Sequence, residues 1–331
     1  MKKKMLSALC ALILALSATV MTGCGSDGQK DNSQTPGSAS QEEGAQDSNV
    51  LTATEADTSY PLTITDDLGN TVTIEKEPER ILSLSPANTE TLFALDGGKR
   101  LVGRTDYCSY PKEAADIPSI GTYTSPNTEL IISMSPDVIF ASDYIDDNIR
   151  AQVEQAGAKV LVFAANDMAS VQQDILKAGQ VLNTNKEAKN IVEHMDAEMA
   201  ELKQILSKRS DDVSAFIDLG SYYSAGADSL LGNMLEDIGV KNVAADTGEA
   251  WPQLSVEKII EYDPDIYISL FTTPEELKQV SGLSSLDCIK NDKILFFEAL
   301  SAEGDLIQRA GPRLAEGTKL LAQKIYPELF S

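Results

Sequence analysis

The chain has 331 residues, with 27 Lys and Arg against 51 Asp and Glu, a net charge of -24, and a single histidine. So acidic a polypeptide is a poor partner for nucleic acid or an anionic lipid surface, whereas basic docking surfaces and neutral or cationic solutes remain open to it. With His194 alone, a histidine-rich metal site and a Ser/His/Asp arrangement have no material to be built from.

In chain order, Lys2-Lys3-Lys4 and the apolar run of residues 5–20 have the charged and apolar regions of a secretory signal, and the run is short for a membrane span. It ends at Met21-Thr22-Gly23-Cys24, which resembles the bacterial lipoprotein box. The resemblance implies cleavage after residue 23 and lipidation of Cys24, which places the protein outside the cell membrane as a lipid-anchored chain. Residues 24–59 are rich in Gly, Ser, Gln, Asp, Asn and Thr, too polar to offset their ordering entropy, and read as a flexible tether. The remaining residues suffice for two lobes, each with its own core.

A hairpin opens the first lobe, 60–184, with Leu62-Thr63-Ile64-Thr65 and Val72-Thr73-Ile74 alternating around a turn. Strand-like and helix-like pieces then alternate: strands at 81–84, 101–103, 138–141 and 160–163, helices at 89–95 and 149–155. This is the pattern of a parallel sheet covered by helices. From Asn185–Leu206 the apolar residues Ile191, Met195, Met199, Leu202 and Leu206 recur every three or four positions with neither Gly nor Pro between them. The spacing predicts a long, rigid connecting helix over 185–207. The second lobe, 208–331, repeats the first, with strands at 214–219, 265–270 and 294–297 and helices at 229–238, 255–261 and 313–325. Glu129 through Pro136-Asp137 and Glu257 through Pro264-Asp265 have the same internal spacing, which marks two related halves. The fold class is α/β: two Rossmann-like lobes joined by one long α-helix, with a ligand cleft between them, since parallel sheets bind ligands beyond their carboxyl edges.

No P-loop, GxSxG, HExxH or EF-hand pattern is present. The acid pairs Asp66-Asp67 and Asp211-Asp212 read as solvated turns, and Cys108 and Cys288, in different halves, as free thiols. Aromatic residues instead gather in loops after strands: Tyr107, Tyr110, Tyr123, Tyr222, Tyr223 and Trp251, flanked by Gly, Pro and Ser. Flat rings in a cleft suit a large, partly apolar ligand.

Residues 85–90 (Ser-Pro-Ala-Asn-Thr-Glu), 107–111 (Tyr-Cys-Ser-Tyr-Pro), 251–257 (Trp-Pro-Gln-Leu-Ser-Val-Glu) and 309–313 (Arg-Ala-Gly-Pro-Arg) make residues 62–330 resemble the substrate-binding proteins of ABC importers for cobalamin, ferric siderophores or haem. The resemblance is strongest to the cobalamin-binding members. It implies no enzymatic activity, no cofactor beyond the transported ligand, and, as partners, a small molecule and an ABC permease dimer with its ATPase, served by a monomer. Tyr107, Tyr123 and Trp251 are then ligand contacts, with Tyr110 and Tyr223 beside them. Asp305 and Arg309 are placed at the cleft edge to hydrogen-bond amide side chains, or form a helix-start ion pair. The cobalamin binders carry a large aromatic where Ser142 stands, a bulk that Tyr144 would have to supply. Glu129 and Glu257 match the glutamates that pair with permease arginines, although acidic residues in a helix's first turn are also favoured by its dipole. A ferric-siderophore or haem binder is the alternative ligand reading; a membrane-receptor sensor and a lipid-anchored hydrolase are the alternatives outside transport.

Overall fold

In a parallel strand both faces are covered, and the strands here are short apolar runs for that reason. The computed structural model describes residues 50–331. The hairpin of β1 (Leu62–Thr65) and β2 (Thr71–Ile74) leads into β3 (Ile81–Ser83), α1 (Pro86–Ala94), β4 (Leu101–Gly103), the two-residue strands β5 (Gly121–Thr122) and β6 (Ser125–Pro126), and α2 (Thr128–Ser133). β7 (Val138–Ala141), α3 (Asp147–Gln155), β8 (Lys159–Val162) and α4 (Met168–Leu182) complete the first half. Helix α5 (Asn185–Leu206) carries the chain into β9 (Val213–Asp218), α6 (Leu230–Asp237), β10 (Val240–Asn242), α7 (Val256–Tyr262) and β11 (Ile266–Ser269). The one-turn helices α8 (Pro274–Leu277) and α9 (Asp287–Lys290), β12 (Ile294–Phe296), α10 (Ala302–Gln308) and α11 (Leu314–Ile325) follow.

Two four-stranded parallel sheets result, in the orders β4-β3-β7-β8 and β10-β9-β11-β12. The order is the same in both, first strand between second and third, so the repeat seen in the sequence is a repeat of topology. Its Pro-Asp step has the same task in each half. Asp137 accepts the backbone N–H of Glu79 and Arg80 at 2.9 Å at the foot of β3, and Asp265 accepts that of Ser214 at 2.9 Å near the foot of β9.

Side chains alternate across the sheets. Ile81, Val138, Phe140 and Leu161 from one and Ala215, Ile217, Ile266 and Ile268 from the other enter a single core shared with α4, α5 and α11. Leu82, Ile139 and Val160, and separately Phe216 and Tyr267, enter cores on the outer faces. Helix α5 therefore joins the lobes through packing as well as connectivity, burying Val192, Met195, Met199, Leu202 and Leu206. Its approach to α4 depends on Gly179, where a Cβ would lie 2.5 Å from that of Ala188. His194 points outward from this helix, 3.8 Å from Glu198.

The tether expected up to Ser59 does not stay free over its last stretch. Leu51 exchanges backbone bonds with the Gln173 amide (2.7 and 3.2 Å), and Thr58 N–H donates to Asn183 Oδ1 (2.7 Å). Asn185 Nδ2 donates to the Ala56 carbonyl (2.7 Å), Glu55 pairs with Lys189 (2.5 Å), and the Tyr60 hydroxyl donates to the Val181 carbonyl (2.9 Å). Asn185, Asn183 and Gln173 offer amides at the α4–α5 junction, and a polar extended strand satisfies them. Residues 1–49, and with them the signal sequence and Cys24, lie outside the described residues.

The acid pair Asp66-Asp67 is likewise not a solvated turn. Asp66, 4% exposed, accepts N–H groups of Leu68 and Asn70 (3.1 and 2.7 Å) and of Val162 (3.3 Å), and so clamps the hairpin turn to β8. Asp67 accepts from Ala164 N–H at 2.7 Å and pairs with Lys177, which also meets Asp174 at 3.3 Å. Cys108 and Cys288 are buried free thiols.

Two outcomes follow from these contacts. A protein begun at Tyr60 should melt about 5 °C below one begun at Asn49, because the strap's partners on α4 and α5 are left unpaired. Burial first, and then the charge of Asp67, raise the Asp174 carboxyl from 3.8 to about 8, so the folded protein holds a proton that the unfolded chain has lost between those values. The contribution is full below about pH 4 and is lost as pH rises through about 8. In thermal melts Asp174→Asn should therefore gain on the parent between pH 5 and pH 8.5; an equal difference at both would mean that Asp174 is already ionised.

Candidate functional site

The loops beyond the carboxyl edges of both sheets carry the aromatic residues, each fixed by local hydrogen bonding. Tyr107 follows Asp106, whose N–H donates to the Gly121 carbonyl at 2.9 Å. Arg104 holds the base of the same loop, its guanidinium donating to the carbonyls of Ala114 (3.0 Å) and Thr105 (2.9 Å). Tyr123 stands at the tip between β5 and β6, which Gly121 enters at φ +97°. Tyr144 follows β7, in a turn closed by Ile145 N–H to the Ser142 carbonyl at 3.2 Å. The three rings form a chain, Tyr107 to Tyr123 and Tyr123 to Tyr144, edge to face with centroids 6.3 Å apart in both pairs. Ser142, Tyr123 and Tyr144 line one small recess, with the Tyr144 ring beside the position of Ser142. Burial, reinforced by Asp143, raises the Tyr144 hydroxyl pKa.

On the second lobe, Asp218 accepts the N–H groups of Gly220 (2.8 Å) and Tyr222 (3.2 Å) and the hydroxyl of buried Tyr267 (2.7 Å). That anchor holds Ser221 and Tyr222 at positive φ, 52° and 61°, a conformation that a residue with a side chain keeps only under such constraint. The turn presents Tyr223, which pairs with Gln253 beside Trp251, and Ser224 N–H bonds the Pro252 carbonyl at 2.8 Å. Tyr107, Tyr110, Tyr123, Tyr144, Tyr223 and Trp251 are all between 42% and 63% exposed, an unusual share of solvent for such side chains. Phe271 and Leu300, at the carboxyl ends of β11 and β12, are exposed as well and stand outside the residues anticipated from sequence.

Asp305 and Arg309 are paired with each other at 2.7 Å, as the ion-pair alternative has it, and the pair belongs to a larger network. Glu90 of α1, its side chain 3% exposed, accepts from Arg309 Nη1 at 2.6 Å and from Arg313 Nε and Nη2 at 2.8 and 2.9 Å. Arg309 Nη2 also donates to the Tyr107 carbonyl (3.2 Å) and Ser109 Oγ (3.0 Å), and Ser109 donates to Asp305 at 3.1 Å. The Arg313 guanidinium carbon sits over the Tyr110 ring, 3.7 Å from its centroid. Residues of the first lobe thereby grip the second. A further bridge runs from Asn166 Nδ2 to the Asp228 carbonyl and from Asn233 Nδ2 to the Asn166 carbonyl, both at 2.8 Å.

Glu129 and Glu257 occupy the first turns of α2 and α7 and are exposed. The helices are capped alike, Leu130 N–H donating to Asn127 Oδ1 at 3.0 Å and Lys258 N–H to Ser255 Oγ at 3.2 Å. Glu257's own backbone N–H, and then Ser255, lower its carboxyl pKa. Among the described residues no His, Cys, Asp and Glu cluster could hold a metal ion.

The family model described as periplasmic binding protein matches residues 81–299, from the first strand of one sheet to just past the last strand of the other. The chain belongs to that family. It is 31% identical over 96% of its length to an uncharacterized ABC transporter substrate-binding lipoprotein, YvrC, of Bacillus subtilis (strain 168), covering 96% of that protein. It is 28% identical over 74% of its length to the vitamin B12-binding protein of Salmonella paratyphi A, covering 90% of it. Among solved structures, the periplasmic heme-binding protein RhuT of Roseiflexus sp. RS-1 in apo form superposes with a TM-score of 0.69 at 23% identity, over 76% of this chain and 99% of that one. This periplasmic binding protein is the extracytoplasmic substrate-binding component of an ABC transporter, a transport protein of a non-enzymatic family.

Removing Glu90 would strip Arg313 of its carboxylate partner and leave Asp305 as the one counter-charge beside two neighbouring guanidinium groups. Glu90→Ala should cost about 3 kcal/mol in urea unfolding, the low end for breaking a buried pair because both arginines keep some contact with water. A cost under about 1 kcal/mol would mean that the lobes do not rely on this contact.

Proposed function

We propose that the protein captures cobalamin or a related corrinoid between its lobes and delivers it to an ABC permease. The observation that carries the reading is a ring-lined pair of facing edges whose cationic candidates are spent. Arg104 is committed to loop carbonyls, and Arg309 to Glu90, Asp305 and the Tyr107 carbonyl. A large, neutral, partly apolar ligand suits such a site, and an anionic catecholate chelate does not. The vitamin B12-binding relatives support the same choice. Tyr107, Tyr110, Tyr123, Tyr144, Tyr223 and Trp251 serve as the contact surface, and Asp305 offers its carboxylate at the edge.

Haem is the second reading, favoured by one observation: Tyr107, Tyr123 and Tyr144 form a continuous cluster of rings, and a tyrosine phenolate is a known axial ligand of haem iron. Glu129 and Glu257, alike in cap and position on the two lobes, act as docking charges for basic residues of the permease, setting register and association rate more than affinity. Cys24 carries the lipid that holds the monomeric protein at the outer face of the membrane.

Spectroscopic titration of the protein begun at Asn49, with cyanocobalamin, dicyanocobinamide, haem and a ferric hydroxamate, tests the ligand. Sub-micromolar corrinoid binding that weakens at least tenfold in Trp251→Ala is the expected result, and binding of haem alone would replace the corrinoid. Reversing both charges, Glu129→Arg with Glu257→Arg, should leave that affinity unchanged while lowering the rate of association with the reconstituted permease at low salt. A loss of ligand affinity in this variant would take the two glutamates out of a docking role.

A further inference from the structure

Single apolar side chains on a surface carry no message, but a contiguous row at a sheet's carboxyl edge does. Phe271 is 59% exposed and Leu300 77% exposed, the latter the highest value among the exposed large apolar residues. They leave adjacent strands side by side, since Ala299 N–H bonds the Leu270 carbonyl at 3.1 Å directly before them. The Phe271 ring reaches sideways over the end of β9, where a Cβ on Gly220 would sit 3.4 Å from it. The loop that begins at Gly220 presents Tyr223, and Tyr223 pairs with the residue two beyond Trp251. Trp251, Tyr223, Phe271 and Leu300 thus lie in sequence across the edge of the second sheet.

Neither Phe271 nor Leu300 is needed where it stands by the packing of the lobe. Both are absent from the three apolar cores and from the residues packed on them, which Leu270 and Ala299 do enter. Solvation of two large apolar groups side by side is a standing cost unless something covers them. The facing lobe offers a different chemistry, with Tyr107, Tyr123 and Tyr144 each carrying a hydroxyl. The two walls are therefore unlike: one able to form hydrogen bonds from ring edges, the other, at Phe271 and Leu300, able to offer only area.

We propose that Phe271 and Leu300 form an apolar shelf on the second lobe that contacts the transported ligand and selects for one presenting a neutral, hydrocarbon-rich face to it. The proposal deepens the corrinoid reading and rests on it. The methyl-studded face of a corrin ring is such a surface, whereas the oxygen-rich shell of a hydroxamate or catecholate chelate would be left without partners against it. The shelf continues the aromatic row of Trp251 and Tyr223 proposed above as ligand contacts.

The test uses Phe271→Ala, Leu300→Ala and the double variant in the protein begun at Asn49, titrated with cyanocobalamin and dicyanocobinamide, with uptake measured in cells carrying the permease. Because both side chains are exposed, thermal melts should match the parent. Each single variant should bind the corrinoid about tenfold more weakly and the double variant about a hundredfold, as expected for well-desolvated apolar contacts. Parent-like affinity in all three overturns the shelf and leaves the corrinoid reading standing. Parent-like affinity with reduced uptake also overturns it, and reassigns the patch to the permease. A parent protein that takes up neither corrinoid removes the reading itself, and the shelf with it.

Discussion

A single buried carboxylate, that of Glu90, sets the relation between the two halves of this molecule. It lies on the first helix of one lobe and is shared by two arginines that arrive from the far end of the chain, one of them through two parallel bonds. Burying three charges is costly unless each finds partners, and here each does: Arg309 also reaches a carbonyl, a serine and Asp305, and Arg313 covers an aromatic ring. The geometry tolerates little sliding, because a bidentate contact fixes orientation as well as distance. The Asn166 bridge and helix α5 add two further connections between the lobes.

The same network changes the meaning of Asp305 and Arg309. The family resemblance places them at a ligand, whereas in the structure both terminal nitrogens of Arg309 are already engaged by the protein itself. Arg309 holds the Tyr107 loop by its carbonyl and by Ser109, so it positions an aromatic wall whatever it does for a ligand directly. Polarity in this site is spent on holding rings in place, and the rings are left exposed.

Much of this was legible in the sequence. Covered strands are short apolar runs, a long helix without Gly or Pro shows its period, and a repeated Glu-to-Pro-Asp spacing reports a repeated topology. Rings flanked by Gly, Pro and Ser were readable as loop residues for the same local reasons. What stayed hidden depends on distant parts of the chain. Nothing near Glu90 announces partners 219 and 223 residues away. Phe271 reads as the continuation of the buried run Ile266-Tyr267-Ile268, because the sequence does not show where a strand leaves its sheet. Asp66 sits in a turn, yet β8 buries it, and the polar stretch before Tyr60 finds unsatisfied amides on α4 and α5 that no composition reveals. Helix α4, with its Asp167 and Ser170 capping box, was not among the expected elements, its apolar face being interrupted by Asp174 and Gly179.

On the reading proposed above, in which the ligand sits between lobes tied together by buried charge, the cleft has a thermodynamic character of its own. Its walls are already ordered before a ligand arrives, so little rotational freedom of the lobes remains to be lost on association, and the affinity reflects shape and desolvation directly. Admission then depends on whether a solute fits the standing gap, and the gap acts as a gauge for thickness: a flat, rigid molecule of the right depth enters, and a thinner one leaves the far wall wet.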